Sequence, residues 1–419
     1  MMLTVRDHHN KAWYLKKILI QPVLFIIIII LAAHLTAPAA AQEIAVSANL
    51  NDTGTPQVSG HRILWCDTKE WSSWPEACFL YDINEKKAQA LPMPGPSEEL
   101  QQAPSLSGDR IAYTGYSNNP YLPAKIRLYT VTTGTTETIT EGADPHSVII
   151  SGNWIVWDAG RVVTGHVKTR DFGWVETWAY VPDVRSYNLD TGEGAFITNN
   201  SEFRKITSLD NEHMVYAMFN SSGTDIYLFN LLTGEDRYIA YADERVSPWI
   251  SGEFISWTDR RAGDYVHLYN IRLGTDQVIA GDARGKSDAV TDSGRVVWFS
   301  SDAGISELIC YNITTGRTSG RNLSSAYVID RPLPAISGNI IVWLDRCNGH
   351  GRVYYLDLSG FCQPAEGSGG QVTGMPDAAA AGVPQSGIPP TRGSSGFDAI
   401  TAGIGGMSTI LFINSRRSK

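Results

Sequence analysis

The 419-residue sequence predicts an all-β fold, a seven-bladed β-propeller of four-stranded antiparallel blades, and three observations carry that expectation. One strand–turn–strand unit recurs seven times. Each copy alternates apolar and polar residues and closes on an aromatic. The composition is rich in Gly (39), Tyr (18) and Trp (12), while only 18% of residues are charged. Such a balance favours short strands and tight turns over amphipathic helices.

The unit opens at Ser59-Gly60, Ser107-Gly108, Ser151-Gly152, Asp210-Asn211, Ser251-Gly252, Ser293-Gly294 and Ser337-Gly338. The strands that follow end on Trp65, Tyr113, Trp157, Tyr216, Trp257, Trp298 and Trp343, spaced 48, 44, 59, 41, 41 and 45 residues apart. That period suits one propeller blade per copy. A second strand rich in β-branched and aromatic residues follows at 79–83, 126–131, 184–189, 226–231, 266–271, 308–313 and 353–358. Five of these run into a turn with Gly (134, 192, 234, 274 and 316), which reads as a two-residue hairpin needing positive φ. A further strand after that turn, and a short one ahead of each Ser-Gly, make four. The last copy lacks a clear fourth strand, and residues 43–48 form an orphan strand able to supply it and clasp the ring. Six or eight blades are the alternative counts. Blades apolar on both faces cannot fold singly and must stack around an axis.

Around the propeller (43–362) lie three further segments. Within residues 1–41, Lys16 and Lys17 precede an apolar run, and Pro38-Ala39-Ala40-Ala41 follows it, which reads as a signal peptide or an uncleaved anchor. Either places the rest of the chain outside the cytoplasm. Residues 363–396 are a Gly/Ser/Pro/Ala linker, and 397–419 an apolar tail ending in Arg416, Arg417 and Lys419. This tail is expected to tether the propeller to the membrane. The net charge of −9 falls to about −12 without residues 1–41, and with no basic stripe nucleic acid is not an expected partner.

Five cysteines suit an oxidising compartment. Cys66 and Cys78 flank the hairpin of the first copy, and Cys347 and Cys362 that of the last, making two candidate disulfides; Cys310 is left as a buried thiol. Neither pair has the spacing of a zinc or redox site. Candidate glycosylation sequons start at Asn51, Asn199, Asn220, Asn312 and Asn322.

The unit read from residues 151–158, 251–259 with 266–274, and 337–345 with 353–358 resembles the TolB-like β-propeller repeats of cell-surface proteins of methanogenic archaea. The resemblance covers roughly residues 50–360 and implies fold and surface location, not a catalytic residue. The tail from Gly396-Phe397 onward is similar to PGF-type archaeal sorting tails, with Ser-Gly-Phe in place of Pro-Gly-Phe.

Neither a G-x-S-x-G elbow nor an H-E-x-x-H motif is present, and His61, His146, His166, His213, His267 and His350 have no ligand spacing. No catalytic, metal or cofactor residue is therefore assigned, and the chain is expected not to be an enzyme. Asp67, Asp158, Asp259 and Asp345, following the strand aromatics, are expected to accept turn amides. The loop from Asp259 to Asp264 reads as solvated ion pairs rather than a cation site. One departure from the repeat stands out: the insertion at 161–182 in the third copy, with His166, Arg170, Phe172, Trp174, Trp178 and Tyr180. It reads either as a binding loop for a protein or carbohydrate or as a longer hairpin packed on the rim. The expected function is an extracytoplasmic, non-enzymatic binding module. The alternatives are a lyase- or glycosidase-like enzyme at a channel mouth and a purely structural envelope component.

Overall fold

The computed structural model describes residues 42–362 apart from 48–54, 69–74, 94–97, 101–102, 118–122, 142–144, 170–172, 198–203, 221, 243, 261–262, 282–283, 303–304, 324–333 and 348–349. The signal segment, linker and apolar tail expected at 1–41, 363–396 and 397–419 lie outside the described residues.

Seven antiparallel sheets form the seven blades. In blade four the strands run Arg204–Asp210, His213–Phe219, Thr224–Asn230 and Asp236–Ala242, from the axis outward. Blades two and six carry one extra short strand each, Glu98–Leu100 and Gly285–Lys286, paired to the second strand. Blade seven takes its outermost strand from the other end of the chain: Ile44–Ala45 pairs with His350–Asp357, with Ile44 opposite Tyr355. The Val46 amide donates to the Val353 carbonyl, and Ser47 Oγ accepts the Val353 amide. The ring is closed by its own N-terminal strand.

The second strand of blade one, Arg62–Thr68, is buried on both faces, whereas the outermost strands Lys87–Ala90 and Glu193–Phe196 are exposed throughout. The seven strand-closing aromatics are all at most 4% exposed. Several stack on the residue directly across the hairpin, with Trp65 on Phe79, Tyr216 on Tyr227, Trp257 on His267 and Trp343 on Tyr354. Among the described residues the core divides into seven clusters, one between each pair of adjacent blades, including one joining Trp65 and Tyr81 of blade one to Val342 and Tyr355 of blade seven. Each blade thus buries its apolar faces only through its neighbours.

Two turn types depart from expectation. The glycines at 134, 192, 234, 274 and 316 end four-residue turns, not two-residue ones; Asn270 pairs with Thr275 and Asn312 with Arg317. An Asn at the first position holds each of four of these turns, its Oδ1 accepting amides two or three residues on, at Asn188, Asn230, Asn270 and Asn312. The side chain thereby does the work of a backbone turn. In blade six the two-residue turn is Ser293-Gly294, both at positive φ, between paired Asp292 and Arg295. Asp292, not Ser293, is therefore the counterpart of Ser59, Ser107 and Ser151.

Candidate functional site

Three places were open to function: the axial channel, the third-copy insertion and the charged loop after Asp259. The inner strands surround an axial cavity of about 450 Å³, lined by Leu106, Ile149, Leu209, Trp249 and Ile336 among others. At the end where the inner strands turn outward, one residue per blade forms a ring of hydrogen bonds. The hydroxyls of Ser59, Ser107 and Ser151 accept the amides of Gly108, Gly152 and Asn211 on the next blade. Asp210 accepts the Gly252 amide, and Ser251 Oγ donates to Asp292. Asp292 also accepts the Gly338 amide, and Ser337 Oγ the Gly60 amide, which completes the circle. In sequence the repeated Ser-Gly is a turn signal. The hydroxyls of Ser59, Ser107, Ser151 and Ser337 cap the next blade's turn and that of Ser251 donates to Asp292, contacts between copies that no single copy can show.

The insertion in blade three is a hairpin, not a loop. The strands Trp154–Thr169 and Gly173–Asn188 have 16 residues each, against six to eight in the second and third strands of other blades. They pair without a register shift from Trp154 opposite Asn188 to Thr169 opposite Gly173. About eight extra residues per strand lengthen the hairpin by about 25 Å. The strands place Lys168 opposite Trp174, His166 opposite Glu176, Thr164 opposite Trp178 and Val162 opposite Tyr180. Arg170 and Phe172 lie outside the described residues.

The cysteine expectation is corrected in one half. Cys66 and Cys78 form a disulfide within blade one. Cys362 bonds to Cys310 of blade six, so the pairing with Cys347 is overturned. The reason is strand length: Cys347 pairs with His350 at one end of the eight-residue strand His350–Asp357, and Cys362 follows the other end. That strand separates them by about 25 Å. Of the sequons, Asn51 and Asn199 lie outside the described residues, and Asn322 is exposed at a strand end. Asn312 caps its turn and donates its amide to the Cys362 carbonyl, while Asn220 accepts the Gly223 amide and donates to Asp225.

The acidic loop is tied to blade six: Arg260 pairs with Asp288, and Asp264 accepts the Lys286 amide. Among the described residues no group of three or more His, Cys, Asp or Glu side chains sits close enough to hold a metal. His61, His213 and His267 each approach a carboxylate of their own blade. The aspartates after the aromatics do not share one role. Asp67 accepts the Thr68 amide, whereas Asp158 accepts the Ser147 hydroxyl. Asp158 directly follows its aromatic and Asp67 lies two beyond, and this one-residue difference sends them to opposite faces.

No family model and no curated relative matches the chain. Its fold is similar to an oligogalacturonate lyase solved in complex with manganese, at 13% identity and a TM-score of 0.53, over 77% of this chain and 94% of that one. It is similar to the acylaminoacyl peptidase of Pyrococcus horikoshii at 12% identity and a TM-score of 0.51, covering 74% of this chain and 51% of the peptidase, so this chain spans about half of that protein. The β-propeller domain of the trilobed protease from Pyrococcus furiosus is similar at 13% identity and a TM-score of 0.51, over 75% and 94% of the two chains. That domain is described as having an open velcro topology, whereas here the N-terminal strand closes blade seven. At these identities the likeness shows the fold alone. The expectation that the chain is not an enzyme falls with this comparison. The lyase and the peptidase are enzymes carrying this fold, so the lack of a catalytic motif is no ground for excluding catalysis.

Proposed function

We propose that the chain is an extracytoplasmic, surface-tethered propeller that recognises a protein or carbohydrate partner through the extended hairpin of blade three. The observation that carries this reading is asymmetry. Six blades keep hairpin strands of six to eight residues, and blade three alone extends both of its strands to 16. Folding requires no such extension, because blades two and four stack against their neighbours without one. The added strands carry Trp174, Trp178 and Tyr180 along one strand, with Lys168 at the register position opposite Trp174 and His166 opposite Glu176. Flat apolar rings interleaved with hydrogen-bonding groups suit a sugar or a protein hot spot. Two disulfides accord with an oxidising compartment.

The pairing supplies a clean test. Ala159 lies opposite Asp183, so replacing 160–182 by Asn-Gly leaves a standard two-residue hairpin turn. The shortened protein is expected to keep its circular dichroism and melting temperature. It is expected to lose at least about tenfold in affinity for envelope polysaccharide or envelope protein immobilised on a biosensor. A shortened protein that folds and binds unchanged sinks the proposal.

A further inference from the structure

Blade four carries a second feature that stacking does not require. Its three outer strands align Tyr216, Tyr227 and Tyr238 directly across from one another. Tyr216 stacks on Tyr227 at 5.1 Å between ring centroids, and Tyr227 meets Tyr238 edge-on at 5.5 Å. The ladder runs from a fully buried ring to one that is 43% exposed. One residue beyond the normal count, Ile239, then interrupts the pairing, because Tyr227 is opposite Tyr238 while Ile226 is opposite Ala240. That bulge shifts the parity of everything after it. Tyr241, three residues from Tyr238, consequently lies opposite Asp225 and returns to the same face. Its hydroxyl donates to the Ser222 carbonyl at 2.6 Å and its ring stays 41% exposed. Gly223 makes room for it, since a Cβ there would come within 2.7 Å of the Tyr241 hydroxyl. Asp225, directly across from Tyr241, accepts the Asn220 amide at 3.1 Å.

Blades two and five share the bulge at Ile139 and Ile279, where the extra isoleucine packs inward. In those blades the positions equivalent to Tyr241 hold Glu141 and Gly281. The bulge is thus a property of the repeat, and the tyrosine pair belongs to blade four among these three.

We propose that Tyr238 and Tyr241, with Asp225 across from Tyr241 on the neighbouring strand, form a carbohydrate-binding platform at the outer edge of blade four. Two exposed rings offer far less area than the roughly 1,000 Å² that a stable protein interface needs, but they match one or two sugar rings. Both are already held by stacking, a bulge or a hydrogen bond, so binding costs little side-chain entropy. β-Linked pyranosides with equatorial substituents present flat C–H faces to such rings, and the Asp225 carboxylate accepts sugar hydroxyls at their edge. Tyr238 and Tyr241 share the face of Tyr216, which packs toward blade three, and the proposal does not depend on a role for the blade-three hairpin.

The test uses the full chain produced without glycosylation, so that a glycan on Asn220 cannot occupy the platform. Cellohexaose and chitohexaose are titrated by tyrosine fluorescence and saturation-transfer NMR, with α-linked isomaltohexaose as control. The β-linked probes are expected to bind, with saturation transfer strongest on their ring C–H protons. Tyr238→Ala and Tyr241→Ala are each expected to weaken binding about three- to tenfold, while Tyr241→Phe, which keeps the ring, stays within about threefold. The 160–182 replacement is expected to leave this binding unchanged, which separates its failure from that of the hairpin proposal. No binding of either β-linked probe at 10 mM, or equal binding by the correctly folded alanine variants, overturns the platform.

Discussion

At the scale of single residues, the ring of Ser and Asp side chains shows how a repeat acquires long-range bonds. Five members are serines making one inter-blade link from each hydroxyl. Asp292 makes two, accepting from Ser251 Oγ and from the Gly338 amide. Removing it leaves a hydroxyl and an amide without their acceptor, and the lost bonds are charge-assisted. Asp292→Ala is therefore expected to destabilise by about 2–3 kcal/mol, against about 1 kcal/mol for Ser337→Ala, as measured by urea denaturation. Equal losses would show that the second link of Asp292 carries no energy. Another residue-scale expectation concerns alkali. Burial raises the Tyr113 phenol above its ordinary range, with the nearby Glu98 carboxylate acting in the same direction. The folded state then holds that proton more tightly than the unfolded chain does. Its contribution to stability is intact below about pH 10 and falls as pH rises past the unfolded value. Tyr113→Phe is expected to raise the midpoint of alkaline unfolding monitored by circular dichroism. An unchanged or lowered midpoint argues against the phenol as a source of alkaline instability.

At the scale of elements, the strands and their order were legible because alternation and closing aromatics repeat within each copy. What stayed hidden was set by single-residue offsets or by contacts between copies. In sequence Ser293-Gly294 mimics the Ser-Gly signature, yet both residues occupy the turn at positive φ and Asp292 holds the Ser position. The fourth copy looks divergent at Asp210-Asn211, but Asn211 adopts a φ of 50°, which Asn tolerates better than most residues. The Asn312 sequon was read as a modification signal, although the same Asn starts equivalent turns at 188, 230 and 270. The bulge that brings Tyr238 and Tyr241 to one face leaves no mark in the alternation pattern, since it is visible only as a mismatch against the partner strand. The insertion shows in the sequence as a spacing of 59 residues between Trp157 and Tyr216. Its hairpin form was one of two open readings, because strand and aromatic-rich loop share the same residue types.

At the scale of the whole molecule, closure decides whether seven marginal blades behave as one. Blade seven is held twice. The N-terminal strand adds Ile44 and Ala45 to its edge, and the Cys310–Cys362 disulfide ties the chain beyond its third strand back to blade six. The covalent tie closes a segment of 52 residues, and the chain-entropy model puts such a loop at about 4 kcal/mol, with measured effects often smaller. The strand contributes a few backbone bonds and the packing of Val46 against the blade one–blade seven cluster. If both act on the same blade, their losses should not add independently. Cys310→Ala with Cys362→Ala is expected to cost about 2–4 kcal/mol, and Cys347→Ser close to nothing. Deleting 42–47 alone should lower the urea midpoint while one transition remains. With both clasps removed, blade seven loses what couples it to the ring, and the unfolding curve should divide, with Trp343 fluorescence changing before far-ultraviolet circular dichroism. Coincident curves in the doubly altered protein would show that stacking of the seven core clusters is enough to hold the ring shut.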